Sequence, residues 1–170
     1  MKAQDVIELM QLEPLPGEGG YVRRTYESKQ KVPYQNEPHP VVSAIYYLIT
    51  ADNFSAFHLL ERDEIFHFYA GDAIDFVQIK NDQAETVVFG NDIAGGEVPQ
   101  IVVEGGTWQA LRISPRAKTQ HGWALVGTTV SPAFVPADHA IADRDALLRK
   151  FPALAKTIER FTRHPNLDSK

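Results

Sequence analysis

The sequence predicts an all-β fold, an antiparallel sandwich or barrel, with helices at its two ends. Three observations carry this. Short runs rich in β-branched and aromatic residues follow one another between about residues 20 and 132. Turn chemistry separates them: Ala51-Asp52-Asn53, Gly71-Asp72, Asn81-Asp82, Gly90-Asn91-Asp92, Gly95-Gly96 and Gly105-Gly106. Helical periodicity occurs only before Pro14 and after Asp143, which argues against alternating strands and helices around a parallel sheet.

The elements follow in order. Val6, Ile7, Leu9 and Met10 sit at helical spacing until Pro14 and Pro16 end the pattern, giving an opening helix over about 3–12. Strands are expected near 21–27, 41–50, 54–60, 64–69, 74–80, 85–89, 100–103, 108–113 and 123–130. Asp143 is a natural N-cap, and Leu147, Leu148, Phe151, Leu154, Ile158 and Phe161 then recur at helical spacing. Pro152 opens a second terminal helix, and helices cover about 143–162. The tail 164–170 is expected to fray.

Bulk properties limit the function classes. A chain of 170 residues with 44% hydrophobic residues fits one domain with a substantial core. Its net charge of -5 and lack of a basic run argue against nucleic acid as a partner. The absence of cysteine excludes disulfides, thiol catalysis and cysteine-based zinc sites. No segment reads as a signal peptide or a membrane span, so a cytoplasmic protein is expected.

Strand alternation gathers the chemistry. Ala56, His58 and Leu60 share one face of their strand, Glu64, Phe66 and Phe68 one face of the next, and Gln109 and Leu111 one face of a later one. If these faces line a barrel, they form a mostly apolar pocket with His58, Glu64 and Gln109 as its polar groups, suited to a small molecule. Glu64 buried there needs a cation, a donor or water beside it. Phe57, Leu59, Ile65 and Trp108 then point outward and need cover, from the terminal helices or a second copy, and a homodimer is expected. His67 alternates away from Glu64 and faces the pocket only if a bulge turns it inward. One of Arg23 and Arg24, and one of Tyr46 and Tyr47, faces inward; Arg23 and Tyr47 join His67 as secondary ligand-binding candidates. His121 and His139 read as surface residues, His39 as a loop residue, and Gly19-Gly20 as a turn.

These residues resemble the cupin superfamily. Its first motif has two histidines one residue apart, then a glutamate and a glycine, at positions held here by His58, Leu60, Glu64 and Gly71. Its second motif has a proline, a glycine and a histidine, held here by Glu104, Gly106 and Gln109. Leu15-Pro16, the run from Gly19 to Tyr26, Ala44 to Leu48, Asp63 to Gly71, Val126 to Pro132 and Ala142-Asp143-Arg144 resemble, in order, one cupin subfamily of unknown function. The resemblance implies a double-stranded β-helix, or jelly roll, that often dimerises. It also implies a metal held by three imidazoles and a carboxylate. Here His58, Glu64 and Gln109 are the only candidates for that set, so at most a weakly held divalent metal is expected.

Three functions are consistent with this pocket. The first is metal-free, isomerase- or epimerase-like chemistry on a sugar- or carboxylate-like molecule, with His58 as base oriented by Glu64, Tyr46 or Tyr47 supplying a phenol, and Arg23 or Arg24 on a carboxylate or phosphate. The second is a metal-dependent oxygenase or isomerase. The third is a binder of a small polar ligand without turnover.

Overall fold

The computed structural model describes residues 1–117 and 121–163; the tail expected to fray lies outside them. Two antiparallel sheets face each other. In chain order the elements are α1 (Ala3–Met10), β1 (Glu13–Pro14), β2 (Tyr21–Glu27), β3 (Lys31–Tyr34), β4 (Glu37–Pro40), β5 (Ser43–Thr50), β6 (Ser55–Leu60) and β7 (Glu64–Gly71). They continue with β8 (Ile74–Lys80), β9 (Gln83–Phe89), β10 (Gln100–Val103), β11 (Trp108–Ile113), β12 (Trp123–Val130), β13 (His139–Ile141), α2 (Arg144–Lys150) and α3 (Ala155–Arg160). One sheet runs β1-β2-β5-β12-β7-β10 and the other β13-β6-β11-β8-β9, a jelly roll with the β3–β4 hairpin outside both sheets.

Alternation decides what each sheet buries. The inward faces meet in a core of Ile49, Phe66, Phe68, Ile74, Phe76, Phe89, Leu111 and Val126. Phe66, Phe68, Phe76 and Phe89 pack edge to face, with centroids from 4.9 to 6.4 Å apart. The outward face of the five-stranded sheet is equally apolar. Phe57, Val77 and Ile79 there, with Trp108 beside them, are covered by Leu147, Phe151, Ile158 and Phe161. The terminal helices therefore supply the cover that Phe57 and Trp108 require. Helix α1 does the same for one end of the other sheet, laying Val6 against Leu48, Trp123 and Leu125. Ile65 is half-buried on the remaining outer face, where its neighbour Val102 is 52% exposed.

The terminal helix start has the expected cap: Asp143 Oδ1 accepts from Ala146 N at 2.7 Å. Gly71, the glycine of the first motif, has φ +102, and a Cβ there would meet the Trp123 carbonyl at 2.3 Å, so only glycine fits. The sequence reading did not foresee β1, the β3–β4 hairpin or β13. All are short, and the hairpin carries Pro33, Pro38 and Pro40, which weaken a strand signal.

Phe57 is fully buried against Phe161, at a centroid distance of 6.0 Å. Phe57→Ala is expected to lower unfolding free energy by about 3–5 kcal/mol in urea denaturation, whereas Val102→Ala costs about 0.5 kcal/mol or less. Equal costs would contradict the helix-covered sheet.

Candidate functional site

The cavity grows from one buried carboxylate. The loop Leu15–Gly20 closes on itself, with Gly19 N donating to Leu15 O at 2.9 Å and Leu15 N to Gly20 O at 3.0 Å. Gly19 makes this possible with φ +99, since a Cβ would meet the Phe54 carbonyl at 2.3 Å. Ala56 N donates to Glu18 O at 2.8 Å, fixing the loop against β6 and turning the Glu18 side chain inward, where the residue is 7% exposed.

Three groups meet Glu18 there. Ser55 Oγ donates to Oε1 at 2.9 Å, His58 Nδ1 lies 3.7 Å from Oε1, and His139 Nε2 lies 3.1 Å from Oε2. The two imidazole rings are 5.6 Å apart. Burial alone would raise the Glu18 carboxyl, but His58, His139 and Ser55 outweigh it and hold the group below its ordinary 4.5. The same ion pair raises His139 above its ordinary 6.5, against the opposite pull of burial. His58 Nδ1 is also 2.9 Å from the Ala56 carbonyl, an acceptor, so Nδ1 carries a proton and in the neutral ring Nε2 keeps its lone pair.

Glu64 enters from the opposite sheet. It is 5% exposed, and Gln109 Nε2 donates to its Oε2 at 2.7 Å. Burial pushes this carboxyl above its ordinary 4.5, against the pull of His58, Gln109 and Thr128. Tyr47 faces the same space, but its hydroxyl donates to Gly19 O at 2.8 Å, and burial raises the phenol well above 10.0. Together these groups and Leu15, Val22, Ile45, Phe66 and Val130 line a cavity of about 230 Å³, room for roughly seven waters.

The structure brings His58, Glu64 and Tyr47 to this cavity and places Gln109 behind Glu64, fully buried. Two secondary candidates lie elsewhere. Arg23 is on the outer face, over the Tyr46 ring at 5.4 Å and with Nη1 3.3 Å from Gln11 Oε1, while Arg24 lines the cavity. His67 is also on the outer face, its Nδ1 3.3 Å from Gln100 Nε2; the bulge in β7 falls beyond it, at Tyr69, and does not turn it inward. Glu18, Ser55, Arg24 and Phe134 were not anticipated as lining or supporting residues. His139, read as a surface residue, is 18% exposed in its side chain and sits in the cavity. It arrives there because β13 pairs with β6, His139 opposite Leu60. His39, read as a loop residue, lies in β4.

The donor set does not fit a tightly held metal. Leu60 offers no ligand atom and the Gln109 amide is turned to donate to Glu64, which leaves His58 Nε2 and Glu64 as the donors at the motif positions. Among the described residues, no group of three or more His, Asp or Glu is placed to hold an ion.

A jelly roll whose cavity holds His58 and Glu64 at these motif positions is a cupin. The chain belongs to the cupin superfamily: the family described as Cupin superfamily (DUF985) matches residues 4–142. A hypothetical protein from Leishmania major superposes with a TM-score of 0.89 at 27% identity, over 96% of this chain and 100% of that one. A Shewanella oneidensis protein solved by X-ray crystallography gives 0.85 at 29% identity, over 96% of this chain and 98% of that one. Oxalate decarboxylase from Lactobacillus farciminis, in a formate complex, shares the fold at a TM-score of 0.54 and 15% identity, over 91% of this chain and 43% of that one. No curated protein matches.

The His139–Glu18 pair has a pH signature. His139 is raised above 6.5, so its contribution to stability is full below 6.5 and is lost as pH rises through the raised value. Glu18 is held below 4.5, so its contribution is present above 4.5 and is lost as pH falls through the lowered value. Both operate together between 4.5 and 6.5. Denaturation at about pH 5.5 and about pH 8.5 should show His139→Ala losing more stability, relative to wild type, at the lower pH. A pH-independent loss would contradict the pairing.

Proposed function

We propose that this cupin is a metal-free acid–base enzyme, isomerase- or epimerase-like, acting on a small sugar- or carboxylate-like molecule inside the barrel. One observation carries the reading: His58, whose Nδ1 is engaged by the Ala56 carbonyl, and the buried carboxyls of Glu18 and Glu64 face one cavity. Glu18 is pushed down and Glu64 up, which suits a charged partner for the His58 base and a carboxyl acid across from it. In this reading His58 Nε2 takes the proton from a carbon next to a carbonyl, breaking the C–H bond. The electron pair moves into the carbonyl, and Glu64, acting as the acid, gives a proton to the oxygen. The Ala56 carbonyl orients His58, a role expected of Glu64, and Glu18, 3.7 Å from Nδ1, stabilises the imidazolium that forms. Returning the proton to the opposite face of the same carbon, or to the neighbouring carbon of an enediol, while Glu64 takes a proton back from an enol oxygen, gives an epimer or an isomer.

The alternatives are less well supported. A metal-dependent oxygenase or isomerase needs ligands that Leu60 and Gln109 do not supply, although a weak divalent ion at Glu64 is compatible with the cavity. A binder without turnover does not call for carboxyl groups of opposed acidity. A homodimer belongs to this proposal, through the outer face around Ile65 and Val102, as does a cytoplasmic setting. No described helix is long and apolar enough to cross a membrane. Light scattering is expected to give a dimer's mass; a monomer at micromolar concentration would remove that part.

Catalysis is testable before the substrate is known. Panels of 2-oxo acids, 2-hydroxy acids and reducing sugars are incubated in D2O and followed by proton NMR. The protein is expected to wash deuterium into the carbon next to the carbonyl of at least one class. His58→Gln should slow this by about 100-fold or more. Saturable binding of a panel member with no exchange would leave a pocket without catalysis and refute the enzyme reading.

A further inference from the structure

The cavity's lining is rich in hydrocarbon, and most of its polar side chains already have partners. His58 on β6 and His139 on β13 belong to the five-stranded sheet, and the Glu18 loop is hydrogen-bonded to that sheet's β6. The facing wall is the six-stranded sheet. Its registers set Arg24 opposite Ile45, Ile45 opposite Thr128, and Thr128 opposite Phe66, with Val130 opposite Glu64. Val22, Ile45, Phe66 and Val130 give that wall hydrocarbon surface, which Arg24, Ser43, Tyr47, Glu64 and Thr128 share. Tyr47 adds no free donor there, because its hydroxyl is committed to Gly19 O. Ser43 Oγ accepts from Phe134 N, and Thr128 is bonded to Glu64. The polar groups left for a ligand are therefore Arg24 at the rim and the cluster around His58 and Glu64, and Leu15, Leu60 and Phe134 add to the hydrocarbon between them.

A sugar fits this poorly. Its hydroxyls point in every direction, and those against Val22, Ile45 and Phe66 would be buried without partners, which disfavours binding. A molecule with one polar reacting end and an apolar body fits this lining. At the rim, Arg24 adds an anion-binding group. Its Nη1 lies 2.5 Å from Glu27 Oε2, but both side chains are more than 40% exposed (45% and 42%), so this surface pair is weak and a ligand anion can replace it.

We propose that the cavity takes a small carboxylate with a branched or aromatic hydrocarbon body, its carboxylate at Arg24, its body against Val22, Ile45 and Phe66, and its carbonyl or hydroxyl at His58 and Glu64. This rests on the acid–base reading for the orientation of the reacting end. The class of ligand itself follows from the hydrocarbon lining and the exposed Arg24 rim alone.

The test compares 4-methyl-2-oxopentanoate and phenylpyruvate, which carry apolar bodies, with glucuronate, which carries the same carboxylate on a polyol. Binding to the full-length protein is measured by saturation-transfer NMR and calorimetry. The two oxo acids are expected to bind saturably, at least about 10-fold more tightly than glucuronate. Arg24→Gln, at the exposed rim where folding is insensitive, should weaken them several-fold. Ile45→Asn should weaken them about 10-fold while narrowing the gap to glucuronate. Equal or tighter binding of glucuronate overturns the proposal. So does unchanged affinity in Arg24→Gln, or no saturable binding of either oxo acid at millimolar concentration. The two readings fail separately. Oxo acids bound without deuterium exchange uphold this ligand class and refute the enzyme; exchange confined to sugars upholds the enzyme and refutes this class.

Discussion

Glu18 carries a charge inside an apolar barrel, and an ionised carboxylate there is strongly unfavourable unless it is paired and hydrogen-bonded. Much of the cavity's architecture meets that demand. Ser55 donates to one carboxylate oxygen, His58 approaches the same oxygen, and His139 pairs with the other. These partners come from β6 and β13, so satisfying one side chain requires the 139–141 segment to return across the chain and add a strand to the sheet edge. The same arrangement orients His58, because Nδ1 is engaged by the Ala56 carbonyl and Nε2 is left for chemistry.

Two arginines hold the pieces that Glu18 needs. Arg62, 4% exposed, pairs through Nε with Asp138 at 2.6 Å, donates to the Ala133 carbonyl, and lies 4.5 Å from the centre of the Tyr34 ring. That clasp ties the segment before His139 to the end of β6 and to the β3–β4 hairpin. Arg163, just beyond α3, donates through Nη2 to the Glu18 carbonyl at 3.3 Å, to Asn53 Oδ1 at 2.9 Å and to the Phe54 carbonyl at 2.7 Å. The terminal helices therefore do more than cover Phe57: they also end on a side chain that fixes the Glu18 loop. A buried ion pair contributes little net stability by itself, but removing one partner is costly. On that ground these contacts serve position more than stability.

The fold was legible because its strands alternate against covered faces, and two residues at the motif spacing, His58 and Glu64, line the cavity. The remainder was hidden for physical reasons. Glu18 lies between Gly17 and Gly19 in a stretch that reads as an exposed turn, and its burial depends on hydrogen bonds to β6 that no local pattern announces. His139 sits in a three-residue strand after prolines, too short to register a period. Arg23 and Arg24 could not be told apart because α1 covers the outer face of their sheet near Tyr21, so apolar residues occur on both faces and hydrophobicity sets no phase. For His67, simple alternation gave the outward orientation, and the bulge comes too late in β7 to reverse it.

What distinguishes this cavity from a metal-binding cupin is the substitution of opposed carboxyl groups for a ring of imidazoles. Leu60 and Gln109 remove ligands, and Glu18 and His139 add charge from outside the two motifs. The most direct measurement is a carbon-13 NMR titration of the Glu18 and Glu64 side-chain carboxyls in one sample. The account predicts that Glu18 titrates below 4.5 and Glu64 above it, and that Glu18 moves upward in His139→Ala. Both carboxyls titrating together near 4.5, with Glu18 indifferent to His139, would contradict it.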